Sequence, residues 1–300
     1  MTAAIQVQDD QIQWLKYSPY FLLHLGCLSV LWVGWSVPAI TLAIALYLIR
    51  MFFVTGFGHR YFSHRAFKTS RVAQFIFAWL FCTAGQRSPL WWAAHHRDHH
   101  RYSDQQPEDV HSPHHHSLWI SHMGWFMKRR YQDYPHQNVQ DLRRYPELIW
   151  LENNELLPFV LLAPFCFFLG EGMQSFNPAL GTNGLQCLVW GYLISTALLH
   201  HGTYTINHLA HLWGTQRFET GDQSRNNFFL ALITLGEGWH NNHHWYPGSA
   251  SQGLYWWEVD LTFYGLKLLE TLKIIWDLRT YPERGDRCSA HRRSGKYKVI

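Results

Sequence analysis

Apolar residues occur in four long runs along this chain, and the segments between the runs are strongly polar. The runs cover about residues 20–35, 38–57, 156–170 and 185–206. A helix needs about 20 apolar residues to cross a bilayer, so each run is a candidate membrane span, although the third is short and contains two prolines. Short connections join the first run to the second and the third to the fourth. The pattern therefore predicts two helical hairpins.

Two further apolar segments do not fit a membrane span. Residues 72–84 are too few to cross a bilayer, so we expect a helix that is buried in the polar part of the protein or lies at the membrane interface. Residues 254–278 mix aromatic, aliphatic and charged side chains. That mixture predicts an amphipathic helix, which either lies at the interface or packs on the rest of the protein.

Basic residues predict the orientation of the spans. The two short connections contain no Lys or Arg, and almost all basic residues lie in the terminal segments and the long central segment. Basic segments stay on the cytosolic side of a membrane. We therefore expect an all-α integral membrane protein in which residues 1–300 form one domain. Four transmembrane helices would carry a helical cytosolic cap, built from 58–155 and 207–300, and both termini would be cytosolic.

Composition narrows the possible functions. Charged residues make up 15% of the chain, against about 25% in an average soluble domain. The five cysteines are scattered without a CxxC pair, which argues against a disulfide framework or a thiolate metal site. A net charge of +4 without a nucleic-acid motif predicts no nucleic-acid partner. Histidine is the residue type in greatest excess, with 21 in the chain. Histidine serves as a metal ligand or as a buried hydrogen-bonding residue, so spacing must decide between these roles.

Two histidine triplets have the same spacing. In HRDHH and again in HNNHH, the three histidines are separated by three and four residues and fall on one stripe of a helix. Three buried imidazoles would each need a partner, so the repeated triplet favours metal binding. A further pair in HRYFSHR is five residues apart, about 140° on a regular helix, and shares a face only where the helix distorts or ends. These candidate ligands are His96, His99, His100, His240, His243, His244, His59 and His64.

The segment NHLAH adds Asn207 and His211, which are four residues apart and can face the same direction. Nine histidines exceed the four ligands of a tetrahedral zinc ion, so the count fits two metals better. Imidazole suits zinc, copper, iron and nickel, and spacing leaves the identity of the metal open. Nearby carboxylates would either fix the histidine tautomers or act as solvated charges and helix caps. They are Asp98, Asp104, Asp109, Asp222 and Glu237.

Taken in order, HRYFSHR, HRDHHRYSD, SHMGW, NHLAH and GEGWHNNHH resemble the conserved boxes of the membrane fatty acyl desaturases of the stearoyl-CoA (delta-9) desaturase family. The resemblance covers roughly residues 47–247. It implies a non-haem di-iron centre held by the nine histidines, with Asn207 approaching the second iron through a water. It also implies an O2-dependent reaction that introduces a cis double bond, typically at position 9, into a long-chain saturated acyl group.

The sequence departs from the family in two respects. Residues 105–117 differ from the family's pattern and are about three residues longer, so the histidines of HSPHHH are not carried over as ligands. We expect a solvated loop for His111, His114, His115 and His116. No haem-binding domain is fused to the chain, so a separate electron-transfer protein, of ferredoxin or cytochrome b type with its reductase, is the expected partner.

Substrate residues are predicted by position. Thr55, Met51 and Tyr47 lie one to three helical turns before His59. The resemblance places the chain-length stop in this region, and our hypothesis is that Met51 with Tyr47 closes the end of an acyl tunnel. Packing or lipid contact would explain these residues equally well. Trp92 matches a tunnel-mouth residue of the family, and ordinary packing is again the alternative.

A basic cluster bears on the acyl carrier. Lys128, Arg129 and Arg130 would bind the phosphates of coenzyme A, contact anionic lipid headgroups, or only mark the cytosolic side. Acyl-CoA is the favoured substrate, with acyl carrier protein or membrane lipid as alternatives. A membrane hydroxylase with the same metal centre is the rival enzyme. A metal transporter would need polar ligands within its spans, whereas the histidine clusters lie outside them.

Overall fold

The computed structural model describes residues 10–105, 109 and 111–281. The described part is mostly helical. Its helices are α1 (Ser18–Val33), α2 (Val37–Ser63), α3 (Arg71–Cys82), α4 (Pro89–Tyr102), α5 (Gln140–Arg143), α6 (Pro146–Asn153), α7 (Leu157–Phe176), α8 (184–212), α9 (Phe228–Ile233), α10 (His240–Trp245) and α11 (Leu261–Thr271). Single helical turns occur at Ile120–Gly124, Trp125–Met127, Arg129–Tyr131, His136–Val139 and Pro178–Leu180. Strands β1 (Lys68–Thr69) and β2 (Ile275–Trp276) pair antiparallel.

Each predicted span corresponds to a helix, but only two of these helices meet the requirements of length and hydropathy. Among the described residues, α2 and α7 are long and apolar enough to cross a membrane. Helix α1 has fewer residues than a membrane span needs. Helix α8 is long, but the histidine, serine and threonine side chains in its second half make it less apolar. Two candidate spans indicate a membrane protein. The expectation of four transmembrane helices stays a prediction.

A side-chain cap starts the helix after each short connection between the predicted spans. Gly34 adopts a φ of 67°, and the Ser36 hydroxyl accepts a hydrogen bond from the Ala39 N–H to start α2. The Asn183 side chain caps the start of α8 in the same manner. Helices α1, α2 and α7 all pack against the first half of α8. Helix α8 is therefore the centre of the helical bundle.

A buried arginine ties α2 to α8. Arg50 lies in the middle of α2 and is 1% exposed. Its guanidinium donates hydrogen bonds to the Ser195 and Thr196 hydroxyls of α8, at 2.5 and 2.7 Å. Charged residues within spans are expensive and need such partners. The polar contact fixes the relative position of α2 and α8, which are two of the four helices that carry the clustered histidines.

The second half of α2, Phe53–Ser63, is a π-helix. In a π-helix each N–H donates to the carbonyl five residues earlier. The His64 N–H accordingly bonds to the His59 carbonyl at 3.2 Å. The helix therefore distorts as the five-residue spacing of these histidines requires, and their ring centroids lie 4.9 Å apart.

The helix predicted for residues 254–278 is wrong in extent, because α11 covers only Leu261–Thr271. Asp260 caps α11 by accepting from the Phe263 N–H. Before it, the Glu258 carboxylate accepts from two backbone N–H groups and bends the chain. After it, Lys273 has a positive φ, which ends the helix, and β2 follows. Helix α3 occupies the run at 72–84, with one face buried and Val72 exposed.

We predict that Gly58→Ala destabilises the protein. A Cβ at Gly58 would lie 2.4 Å from the buried Phe81 ring, directly before His59 in the π-helix. Overpacking of this kind costs about 1–3 kcal/mol. A thermal-unfolding scan of the protein in detergent, combined with metal analysis, should show a lower melting temperature and less bound metal.

The matched control is Gly172→Ala in α7, where a Cβ would meet nothing within 4 Å among the described residues. Since alanine favours a helix over glycine, this variant should match or exceed the melting temperature of the parent protein. Equal losses in both variants would show that close packing at Gly58 is not what positions His59.

Candidate metal centre

Four helices bring nine histidines together. Helix α4 contributes three, α10 three, α2 one with a second at its C-terminal cap, and α8 one. The ligand atoms fall into two groups, and within each group they lie within 4.8 Å of one another. Site A contains His59, His64, His96, His100 and His243, and site B contains His99, His211, His240 and His244. These are the nine histidines selected from the sequence.

Nitrogen atoms face nitrogen atoms across both sites. In site A, His243 Nε2 lies 2.9 Å from both His59 Nε2 and His100 Nε2. The Nε2 atoms of His64 and His96 are 2.8 Å apart. In site B, the Nε2 atoms of His211 and His240 are 3.1 Å apart, and His244 Nε2 is buried without a partner among the described residues. So many converging lone pairs cannot satisfy one another by hydrogen bonds alone.

A metal ion in each site resolves this arrangement. Imidazole nitrogen binds first-row metals at about 2.0–2.1 Å, so two ligands at right angles stand about 2.9 Å apart. The observed separations of facing nitrogens, 2.8 to 3.1 Å, match that value. Five and four imidazoles are also donor sets that suit iron as well as zinc, copper and nickel. The residues present therefore fit two metal ions.

Four carboxylates orient the ligand rings from behind. Each accepts a hydrogen bond from a histidine Nδ1–H, which leaves Nε2 with its lone pair directed into the site. Asp222 bonds to His244 at 2.7 Å and Asp104 to His211 at 2.8 Å. Asp109 bonds to His99 at 3.2 Å, and Glu237 contacts His59.

Electrostatics keep these groups in complementary states. Burial alone would raise the pKa of Asp109 and Asp222, but the neighbouring histidines and hydrogen-bond donors outweigh it, and both pKa values lie below the ordinary range. The pKa of Glu237 falls to about 2 against the same effect of burial, because His59 and Arg60 stabilise its charge. These groups are therefore carboxylates at neutral pH.

Four of the six triplet histidines of α4 and α10 are neutral at the same pH. Burial lowers the pKa of the imidazole well below its ordinary value, and the positive charge of neighbouring rings adds to the effect. This holds for His96, His100, His240 and His243. Neutral imidazole is the form that binds metal.

The structure corrects the prediction of a solvated loop at His111, and it decides between the two roles considered for Asp98. His111 does not lie in a solvated loop, since it is 6% exposed and its ring lies 4.4 Å from that of His99. The Asp109 carboxylate, bonded to His99 and to the His111 N–H, draws the loop inward. His114 is exposed, and His115 and His116 are half-buried. Asp98 takes no part in the sites and pairs with Arg101 at 3.2 Å.

Other supporting side chains were not selected from the sequence. Gln252 donates to Glu237 at 2.7 Å, and Arg60 donates to the same carboxylate at 2.9 Å. Ser112 donates to Asp104 at 2.5 Å. The sequence offered one signal, the short spacing of Asp109 and His111. A carboxylate two residues before a histidine can bond to that residue's N–H and also to a second histidine, as Asp109 does with His99. Glu237 is 177 residues from Arg60 and 15 residues from Gln252, beyond the reach of a helical or strand repeat, so no local pattern marks these two side chains.

Two adjoining cavities lead to the sites. The inner cavity, about 50 Å³, is lined by ligands of both sites and by Met51, Thr55, Trp92, Asn207 and Thr234 among others. The outer cavity, about 500 Å³, is lined largely by aromatic and aliphatic side chains. Trp92, His96, His111, Thr203 and Asn207 line both cavities. The two spaces therefore form one apolar passage that ends at the metal sites.

The predicted substrate residues divide into two sets. Met51, Thr55 and Trp92 line the passage, and Met51 is fully buried. The Tyr47 hydroxyl donates to the Ile233 carbonyl at 2.6 Å and lies against Gly202, beside Met51. In contrast, the described lining of either cavity does not include the basic cluster Lys128, Arg129 and Arg130.

Comparison with known proteins agrees with this geometry. The family model described as fatty acid desaturase matches residues 20–268, and the chain belongs to the fatty acid desaturase family. Most of its homologues, including those described next, are named as desaturases, which are oxidoreductases acting on fatty acids. The fold and site thus define a membrane desaturase with two groups of histidines that could hold metal ions.

Three relatives illustrate the similarity. The acyl-CoA 5-desaturase AL21 of Anemone leveillei is 34% identical over 281 residues, which cover 92% of this chain and 80% of that protein. The delta-9 acyl-lipid desaturase 2 of Arabidopsis thaliana is 32% identical over 277 residues, or 91% and 85% of the two chains. The sn-2 palmitoyl-lipid 9-desaturase of Nostoc sp. is 30% identical over 285 residues, or 92% and 94%.

We predict that Asp222→Asn weakens metal binding in site B. The amide no longer forces His244 to carry its proton on Nδ1, and loss of such a partner costs about 10–100-fold in metal affinity. Metal content measured by mass spectrometry after dialysis against graded chelator should show earlier loss of metal than in the parent protein.

Asp98→Asn is the matched control, because it makes the same chemical change in the same neighbourhood at a carboxylate that pairs only with the exposed Arg101 among the described residues. Metal retention equal to that of the parent protein is expected for this variant. If Asp222→Asn retained metal as well as Asp98→Asn, the carboxylate would not be orienting a ligand.

Proposed function

We propose that this protein is an O2-dependent acyl desaturase with a non-haem di-iron centre that introduces a cis double bond, at position 9, into a long-chain saturated acyl group. The observation that carries the proposal is the apolar passage that ends at two adjacent, all-histidine sites. Position 9 is supported by the resemblance of the histidine boxes and by the names of two relatives.

Two irons in sites A and B would supply the oxidising chemistry, in which O2, two external electrons and two protons take two hydrogens from a methylene pair and leave an alkene and two waters. The nine histidines would hold them, and Asn207, which lines both cavities, would reach site B through a water. The charges of the four carboxylates behind the rings equal those of two divalent ions, which supports a pair of dications rather than a single ion.

The side chains of the passage orient the substrate and exclude water. Trp92 lies where the two cavities join, and its ring stacks on that of His96 with centroids 4.9 Å apart. An acyl chain passing Trp92 therefore runs directly along site A. Met51, with Tyr47 behind it, closes the far end. Apolar walls on both sides keep bulk water from the reacting carbons.

The location and the electron donor complete the proposal. We place the metal sites and both termini on the cytosolic side, because the basic residues avoid the two short connections. Electrons would come from a separate ferredoxin or cytochrome b-type protein with its reductase. Acyl-CoA and acyl-lipid carriers both occur among the named relatives.

We predict that cells expressing the chain with a suitable electron donor accumulate monounsaturated acyl chains. His96→Ala and His243→Ala should each abolish this product, since each removes a site A ligand. Gas chromatography with mass spectrometry of derivatised fatty acids checks the yield and gives the bond position. Immunoblotting of membranes should confirm equal amounts of each protein.

Two outcomes would contradict the proposal. An unchanged fatty-acid profile with folded, iron-loaded protein and a competent donor would argue against an acyl desaturase. A product that gains one oxygen, instead of losing two hydrogens, would identify a hydroxylase on the same scaffold.

We further predict that Met51→Ala shifts the product profile towards longer acyl chains. Removing the Met51 side chain lengthens the closed end of the passage by the space it occupies. Chromatography of products formed from a mixture of saturated chains measures the shift. Met173→Ala in α7, away from both cavities, is the control and should leave the profile unchanged. The same profile in both variants would remove Met51 as the chain-length stop.

A further inference from the structure

We propose that α9 and α11, which fall within the predicted cytosolic cap, are immersed in the lipid bilayer beside α2. The chain therefore dips back into the membrane between α8 and α10, on its way from one set of metal ligands to the next. The surface formed by these two helices binds the acyl-chain region of a bilayer. This contact is independent of the reaction at the metal sites.

Helix α9 presents an apolar surface to its surroundings. Its sequence, FFLALI, contains no polar side chain. Leu230 and Ala231 are buried against the rest of the protein, whereas the other four side chains are 42–63% exposed, namely Phe228, Phe229, Leu232 and Ile233. Exposed Trp213 extends this patch and stacks on Phe229, with ring centroids 5.9 Å apart. An apolar patch of this kind marks a surface that contacts a membrane or another protein.

Helix α11 carries an apolar stripe on its outer side. Thr262 and Leu266 face the protein and are buried. Spacings of three and four residues place a second set along another side of the helix, where its members are 43–60% exposed, namely Leu261, Tyr264, Leu268 and Leu272. The charged residues Lys267 and Glu270 pair with each other at 3.1 Å. A helix on a water-exposed surface carries polar residues on its outer side, so this stripe is unsuited to contact with water.

The two apolar surfaces adjoin. The Thr262 N–H donates to the Leu235 carbonyl at 2.8 Å, which joins the loop after α9 to the first turn of α11. The Trp239 indole N–H donates to the Val259 carbonyl at 2.9 Å, and its ring lies 6.4 Å from that of Phe228. These bonds keep α9 beside the start of α11. One partner can therefore cover both helices.

Both helices pack against a candidate membrane span. The Tyr47 hydroxyl of α2 donates to the Ile233 carbonyl at the end of α9 at 2.6 Å. The hydroxyls of Thr55 in α2 and Thr262 in α11 are hydrogen-bonded at 2.7 Å. Helix α2 is long and apolar enough to cross a membrane. A surface that lies beside such a helix is continuous with the surface that the helix itself presents to lipid.

The level of α9 along α2 favours lipid as the partner. Tyr47 lies three helical turns before His59, and three turns rise about 16 Å, roughly half the thickness of the hydrocarbon core of a bilayer. Side chains of α2 around the same level are apolar and exposed, namely Ile44, Leu48 and Ile49. The acyl chains that cover these residues also reach the exposed side of α9.

The position of α9 gives it a lipid side and an inner side. Thr234, directly after α9, lines the inner cavity, and its hydroxyl donates to the Leu230 carbonyl at 2.5 Å. Tyr47, which bonds to Ile233, lies beside Met51. The helix therefore lies between the bilayer and the closed end of the passage.

Photo-crosslinking of the full-length protein in cell membranes tests this placement. The amino acid p-benzoylphenylalanine bonds covalently to nearby C–H groups on irradiation, and it replaces Phe229 in one sample and Leu268 in another. The control carries it in place of Glu219, an exposed polar residue between α8 and α9. Metal content equal to that of the parent protein confirms that each variant is folded. Mass spectrometry of the digested protein identifies the captured molecule.

We expect lipid adducts at Phe229 and at Leu268, in severalfold higher yield than at Glu219. Capture of a second copy of the chain or of another protein at the first two positions would overturn the proposal. Equal yields of lipid adduct at all three positions, or none at Phe229 and Leu268, would overturn it as well.

Trp256 provides a second readout that needs no crosslinking. It lies shortly before α11 and is 87% exposed. The difference in fluorescence between the parent protein and Trp256→Phe isolates the contribution of this side chain. In vesicles we expect bromine on the lipid acyl chains to quench that contribution, and acrylamide in the water to leave it largely unchanged. The opposite pattern would place Trp256 in water and α11 outside the bilayer.

Discussion

The structure depends on the hydrogen bonds between buried carboxylates and the Nδ1 atoms of histidine ligands. A neutral imidazole carries its proton on either nitrogen and rotates freely about its bond to Cβ. Once Asp222 accepts from His244, and Asp104 from His211, the proton and the ring plane are both fixed. Burial strengthens these bonds, since the local dielectric is low, and it would penalise either partner alone. Ligands and carboxylates therefore stabilise one another, and the helices that carry them are held in register.

The bonds between histidines and carboxylates bring distant parts of the chain into contact. His59 comes from α2, and its partner Glu237 lies just before α10. Arg60, next to His59, bonds to both Glu237 and Asp260, so one turn of α2 anchors the segment before α10 and the cap of α11. The fully buried Arg60 is paired with both acids, because an unpaired buried charge would cost several kcal/mol. The residues beside the ligands thus connect the metal centre to the core of the protein.

The sequence predicted the parts of the site that depend on local spacing. Histidines three and four residues apart must share a face in any regular helix, and α4 and α10 are regular over their triplets. From the sequence, a distorted helix at Phe53–Ser63 could be stated only as a condition for His59 and His64 to share a face. Whether the helix distorts depends on the packing around His59. The burial of His111 depends on a loop that folds back onto His99, a contact with no periodic signal. The start of α11 is set by Glu258 and Asp260, whose carboxylates accept hydrogen bonds from nearby backbone N–H groups. A hydrophobic pattern carries no information about such bonds.

One helix connects the wall of the passage to a histidine of site A. Trp92 and His96 lie four residues apart in α4 and stack on each other, so the wall of the passage and a ligand of site A move together. The Ser88 hydroxyl accepts from the Trp91 N–H at the start of the same helix, and this fixes the axis of α4 before the first ligand. A shift of α4 by a fraction of an ångström would change the position of the acyl chain and of His96 in the same direction. If the proposed function holds, a rigid helix would therefore preserve the distance between the reacting carbons and site A, which a site built on separate loops would not ensure.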